Sequence, residues 1–189
     1  MRRKSFAGII LQEYDMKHPS NEFELKALHD ILRREPGRYL DIVNAWIKED
    51  PKDTSAYYSR HFAWMHLGQP LLAIKDLDKV IESDGDQMDF MSRGQVYRIL
   101  GFHKKALEDF ARGEALNPED WDGHQVGLLY QADSYAKLGD ETSALTYCSR
   151  LGDDFWTPGL DGAPAGNKAE IAEQLKQIAG DARRDLHDL

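Results

Sequence analysis

The sequence contains one cysteine, Cys148, among 189 residues. A single thiol cannot close an intramolecular disulfide, and no Cys/His pair has the spacing of a structural zinc site, so neither is expected to hold the chain together. Cys148 is expected to be a small core residue in a protein of the reducing cytoplasm. Long hydrophobic runs are also missing. After the basic start Met1-Arg2-Arg3-Lys4, the apolar stretch Ala7 to Leu11 is too short for a signal-peptide core and is interrupted by Gln12-Glu13. Nothing approaches the ~20 apolar residues that a membrane-spanning helix needs. Basic residues are outnumbered, with 24 Lys and Arg against 33 Asp and Glu, for a formal net charge of −9. That balance favours solubility and argues against a nucleic-acid backbone or an anionic membrane as the main partner.

Signatures of catalysis are lacking as well. There is no HExxH pair, nucleophile elbow, phosphate loop or recognisable triad. The seven histidines, His18, His29, His61, His66, His103, His124 and His187, show no ligand spacing; His61 and His66, five apart, lie on diverging faces of a helix. Gly152-Asp153-Asp154 and Leu160-Asp161-Gly162 lack the alternating oxygen ligands of a calcium loop and read as solvated carboxylates. No catalytic residue, metal or cofactor is expected.

What the sequence does contain is a repeat. Its hydrophobic fraction of 41% suits a folded chain, and aligning it on Gly68, Gly101 and Gly139 brings out matching columns. One residue before each glycine stands Leu67, Leu100 or Leu138, and four before stands Trp64, Tyr97 or Tyr135. Eleven before stands Tyr57, Phe90 or Leu128. Five after each glycine comes alanine (Ala73, Ala106, Ala144), then Ile74, Leu107 or Leu145, and nine after come Leu77, Phe110 and Cys148. Spacings of three, four and seven put these residues on one helical face. The glycines suit left-handed helix caps, and the alanines suit a close helix–helix approach. The first two glycines are 33 residues apart and the next two 38, the excess falling at an insertion around Trp121-Asp122-Gly123-His124.

This pattern resembles the tetratricopeptide repeat, a helical hairpin of about 34 residues. The unit from Asp89 through Gly101 to Ala106, Phe110 and Asn117-Pro118 carries the resemblance best. The unit starting at Thr54 departs from it with His61 where a small residue is usual and Gly85 where proline is usual. In the third unit, Cys148 replaces a bulky aromatic and the closing proline is missing. The resemblance implies an all-α fold, a right-handed superhelix of stacked hairpins. Residues 1–20 would form an N-terminal arm or short helix and 21–53 a degenerate hairpin. That hairpin would carry Phe23, Leu25, Leu28, Ile31 and Leu32 on one helix, a break at Glu35-Pro36-Gly37, then Leu40, Ile42, Val43, Trp46 and Ile47. Residues 54–156 would form three hairpins and 157–166 a Pro/Gly-rich loop. Residues 167–189 would be a capping helix with Asn167 as N-cap and Ile171, Leu175, Ile178 and Ala182 on its apolar side.

The resemblance also implies a concave groove lined by the first helix of each hairpin, where a segment of a partner protein lies. Its lining would be Tyr58, Phe62 and Met65 from the first unit, Met91, Gln95 and Arg98 from the second, and Leu129, Asp133 and Ala136 from the third. Aromatic and methionine side chains suit adaptable recognition, and Arg98 and Asp133 would set register by charge pairing. The lysines and asparagines of the family's carboxylate-gripping grooves are absent from these positions. The expected function is that of a non-catalytic adaptor or scaffold. A dedicated chaperone or protector of one secreted or toxic client, or an enzyme whose site leaves no local motif, remain alternatives. A groove filled by the chain's own terminal elements is also open.

Overall fold

A computed structural model of the protein describes Pro19 and residues 22–121 and 124–187. The arm expected over 1–20 lies, apart from Pro19, outside the described residues. Apart from connecting turns and loops, the described chain is helical, with one short two-stranded ribbon. It divides into two compact units, Met1–Asp84 and Gly85–Leu189.

The first unit holds α1 (Glu22–Arg34), α2 (Pro36–Glu49), α3 (Thr54–His66) and α4 (Pro70–Asp84). Leu28, Ile31 and Leu32 of α1 are buried with Tyr39, Ile42, Val43 and Trp46 of α2, the three-and-four spacing of a single apolar stripe. Leu25, expected on the same stripe, is 43% exposed. The break between the two helices is shorter than Glu35-Pro36-Gly37. Only Glu35 lies outside a helix, because Pro36 starts α2, a position where its missing N–H costs nothing. Asp53 caps α3 by accepting from the Ser55 and Ala56 amides at 3.0 and 3.3 Å.

The second unit holds α5 (Gln87–Ile99), α6 (His103–Leu116), the single turn α7 (Pro118–Trp121), α8 (Gln125–Lys137), α9 (Glu141–Ser149) and α10 (Lys168–His187). Asp86 and Asp89 start α5 with a reciprocal capping box, which supplies the helix start where the expected proline is absent. The insertion before α8 drives Trp121 wholly into the core, its indole N–H donating to Gln131 at 2.8 Å. Between α9 and α10, β1 (Trp156–Thr157) pairs antiparallel with β2 (Gly166–Asn167) and closes a loop tipped by a 3-10 turn at Leu160–Gly162. Asn167 caps α10 through the Ala169 and Glu170 amides, as expected. Ile171, Leu175 and Ala179 of α10 are fully buried against the third hairpin. Arg183, exposed on α10, donates to the Gly139 carbonyl at 2.9 Å and pairs with Glu141 at 2.7 Å.

The three repeat glycines end their helices identically. Gly68, Gly101 and Gly139 have φ of 67, 77 and 81°. In each case the next amide (Gln69, Phe102, Asp140) donates back to the carbonyl of the aromatic column, Trp64, Tyr97 or Tyr135, at 2.8 to 3.0 Å. This is the six-to-one bond of a Schellman cap, which needs the left-handed conformation that glycine adopts at little cost. The alanine column is likewise uniform: Ala73, Ala106 and Ala144 are all fully buried. At Gly94 the helices of the second hairpin meet so closely that a Cβ would stand 2.6 Å from the Phe110 ring.

Candidate functional site

The outward face of α3 carries an aromatic cluster. The Tyr58 and Phe62 rings meet edge to face at 5.5 Å, and the His61 ring lies 4.7 and 3.9 Å from them. Phe62 is 39% exposed, while Tyr58 and Met65 are half-buried. His61 faces inward and is buried, with Nδ1 against the Tyr58 carbonyl. Because a carbonyl can only accept, Nδ1 carries the proton. Burial lowers the His61 pKa to about 4, outweighing the opposing pull of the Tyr58 carbonyl and the Asp76 carboxylate, so the ring is neutral near neutral pH. His61 therefore occupies its small-residue column as an uncharged, hydrogen-bonded packing group.

The hairpins α3–α4 and α5–α6 are each bolted together by an ion pair that apolar periodicity does not reveal. Arg60 grips Asp76 through Nε and Nη2 at 2.8 and 2.7 Å, and Arg93 grips Asp109 at the same two distances. Both arginines stand eight residues before their repeat glycine and both aspartates eight after it. That signal was present in the alignment but lies in polar columns. In the third hairpin the same columns hold Gln131 and Tyr147, and both contact Glu114 at 3.3 Å instead. Trp64 adds an indole bond to Asp76 at 2.9 Å.

In the second unit, α5 and α8 bring Gln95, Arg98 and Asp133 together, along with Tyr130, a residue not anticipated in the lining. Arg98 Nη1 donates to Asp133 Oδ2 at 2.8 Å, with both side chains almost wholly buried. The guanidinium carbon lies 4.2 Å from the Tyr130 ring centre. Seated on this group is the tip of the chain's own loop. Arg98 Nη2 donates to the Asp161 carbonyl at 3.0 Å, Gln95 Nε2 to Asp161 Oδ2 at 2.6 Å, and the Tyr130 hydroxyl to the same oxygen at 3.1 Å. Burial, then the Asp161 carboxylate, push the Tyr130 pKa up, so the phenol stays protonated and donates.

The expectation that Arg98, Leu129, Asp133 and Ala136 line an open groove is corrected here. Leu129 and Ala136 have no exposed surface and Asp133 and Arg98 almost none. The reason is that a third layer follows the third hairpin: Ala163, Ile171 and Leu175 share one core with Leu129 and Ala136. Met91 and Gln95 remain half-buried. Cys148 is buried as expected, beside a cleft of about 460 Å³ lined by Leu145, Ser149, Asp153 and Lys168. Burial raises its pKa, which keeps the thiol protonated and unreactive. No cluster of three or more His, Cys, Asp or Glu suited to a metal ion occurs among the described residues. No helix among them is long and apolar enough to cross a membrane.

No protein-family model matches the chain. Solved structures do match. The crystal structure of MamA aligns with a TM-score of 0.60 at 14% identity, over 91% of this chain and all of that one. The crystal structure of YrrB, described as a TPR protein with an unusual peptide-binding site, aligns with a TM-score of 0.59 at 16% identity, over 95% of this chain and 93% of that one. At these identities the likeness concerns the path of the backbone. Together with the shared glycine caps and alanine contacts, it establishes that this chain has the all-α helical-repeat fold of tetratricopeptide-repeat proteins.

Proposed function

We propose that the protein is a non-catalytic interaction module, an adaptor or scaffold, that holds a polypeptide segment of a partner on the faces of its first-of-hairpin helices. One observation carries the reading: the inner face of α5 and α8 already holds polypeptide, the Leu160–Gly162 turn of the chain itself. A surface that hydrogen-bonds a backbone carbonyl and an adjacent side chain is built for extended or turned chain. On α3, the exposed Phe62 with Tyr58 and Met65 supplies the adaptable apolar contact typical of recognition surfaces. The peptide-binding site named for YrrB is consistent with this use of the fold.

Tyr58, Phe62 and Met65 offer contact on the first unit, and separately Met91, Gln95 and Arg98 do so on the second, where Arg98 is reached once the loop tip is lifted. Leu129, Asp133 and Ala136 act from beneath as the rigid floor of the second. The net charge of −9 favours a protein partner over nucleic acid, and the single buried thiol suits a cytoplasmic protein. The test is affinity purification from the native cell with quantitative mass spectrometry, comparing wild type with Phe62→Ala/Met65→Ala. These side chains are not fully buried, so the fold should survive their removal. The partner's enrichment is expected to fall at least tenfold. Undiminished recovery with the variant overturns the reading.

A further inference from the structure

The protein contains two arginines that show what a guanidinium here does with a free carboxylate. Arg60 and Arg93 each use the Nε and Nη2 edge to hold both oxygens of an aspartate. Arg98 gives the loop tip Nη2 alone. Its Nη1 is committed to Asp133 and its Nη2 to the Asp161 carbonyl, while its buried Nε has no hydrogen-bond partner among the described residues. The Asp161 carbonyl takes Nη2 alone, so a charged donor is left unsatisfied on a residue only 5% exposed.

The occupant is held by polar contacts rather than by apolar burial. Asp161 is the only non-glycine among the described residues with positive φ, at 51°, a left-handed conformation that aspartate tolerates as a single residue. Leu160 is 41% exposed and Asp161 and Gly162 are exposed, so the tip contributes little apolar burial. Gly159 and Gly162 flank it in left-handed conformations that can rearrange at little cost. The ribbon of Trp156–Thr157 with Gly166–Asn167 closes the loop below the tip, so the tip can lift without disturbing α9 or α10.

We infer that the Leu160–Gly162 turn is a displaceable internal ligand, and that the partner segment replacing it presents an internal acidic side chain to Gln95 and to the Nε/Nη2 edge of Arg98. This inference rests on the interaction reading above and names the chemistry of the segment recognised. The incoming carboxylate takes both donors of Arg98 where the Asp161 carbonyl takes one. Gln95 and the Tyr130 hydroxyl, released from Asp161, bond the adjoining part of the guest. The guest is therefore a turn or extended segment bearing Asp or Glu, selected by charge-assisted bidentate bonding.

The experiment uses the full chain and a peptide of its own loop, residues 157–165 (TPGLDGAPA), amidated at its C-terminus, followed by NMR on the Arg98 Nε–H and Gln95 side-chain amide signals. In wild type the tethered turn competes at high effective concentration. In Asp161→Ala that competition is relieved, so binding is expected to tighten at least tenfold, with a downfield shift of the Arg98 Nε–H. Replacing the peptide's aspartate by asparagine is expected to abolish both effects, and a free C-terminus on that asparagine peptide is not expected to restore them. Equal affinity of the asparagine peptide, an unmoved Arg98 Nε–H at millimolar peptide, or rescue by the free terminus each overturns the inference. If the partner's recovery depends on Phe62 and Met65 while Asp161→Ala gains nothing, the inference falls and the interaction reading stands.

Discussion

His61 makes the first unit's stability depend on pH, with a sign that follows from its burial. The perturbation is acidification, set against His61→Ala, which installs the small residue that the repeat favours and that Gly94 and Ala132 supply in the same column. In the unfolded chain the imidazole takes a proton below its ordinary pKa of 6.5, whereas in the folded protein burial delays this to about 4. Between those values the unfolded state binds the extra proton, so folding loses stability as pH falls. The contribution is intact above about pH 6.5, declines by up to about 1.4 kcal/mol per pH unit, and amounts to roughly 3 kcal/mol in total once pH drops below the folded value. His103 in the second unit is shifted down by burial as well, so the whole protein weakens with acid and only a difference isolates His61. The assay is urea unfolding of wild type and variant from neutral pH to about pH 4.5, with NMR titration of the His61 ring in the folded protein. The variant is expected to lose about 1–2 kcal/mol at neutral pH for its missing contacts. At about pH 4.5 it should equal or exceed wild type, because it lacks a penalty that has by then reached about 2–3 kcal/mol. A folded-state ring that titrates near its ordinary value, or parallel stability profiles for the two proteins, refutes the reasoning.

Arg98→Ala leaves the Asp133 carboxylate buried without its cation and should destabilise the second unit by about 3–5 kcal/mol in thermal or urea melts, whereas the paired change Arg98→Met with Asp133→Leu should cost far less. Asp109→Ala removes the two bonds it accepts from Arg93 and should cost about 2–3 kcal/mol; Asp76→Ala should cost more by about 1 kcal/mol, because Trp64 also loses its acceptor. Gly94→Ala forces a methyl into the Phe110 ring and should destabilise by about 1–3 kcal/mol, relieved in part by Phe110→Leu. Gly101→Ala should cost about 1 kcal/mol for its left-handed cap, with no packing term because open space surrounds that position.

Helical geometry repeats over a few residues, and this made the glycine, aromatic and alanine columns legible without coordinates. Three matching caps and three buried alanines follow from them. The polar columns were equally regular, but a search for apolar stripes passed over Arg60, Arg93, Asp76 and Asp109. Their pairing across a hairpin becomes evident only when sixteen residues of separation are seen to place them opposite one another. The degenerate first hairpin was legible from its periodic leucines, isoleucines and tryptophan. Its one-residue connection was not, because Pro36 reads equally well as a breaker or as a helix start.

The nine face residues show where local patterning stops. Alternation along α3, α5 and α8 identifies which side chains share a face. What lies on that face depends on contacts whose partners are far apart in sequence: Arg98 with Asp133 at a separation of 35 residues and with Asp161 at 63. Leu129, Asp133 and Ala136 share α8, yet the layer that covers Leu129 and Ala136 follows the third hairpin and includes α10. The seating of the Asp161 tip depends on a left-handed backbone that aspartate tolerates but does not by itself dictate. The sequence by itself determined the helical hairpins, their caps and their close contacts, because these arise from interactions a few residues long. Only the tertiary structure decided which faces stay exposed, because covering a face requires chain closure between distant elements and leaves no periodic trace.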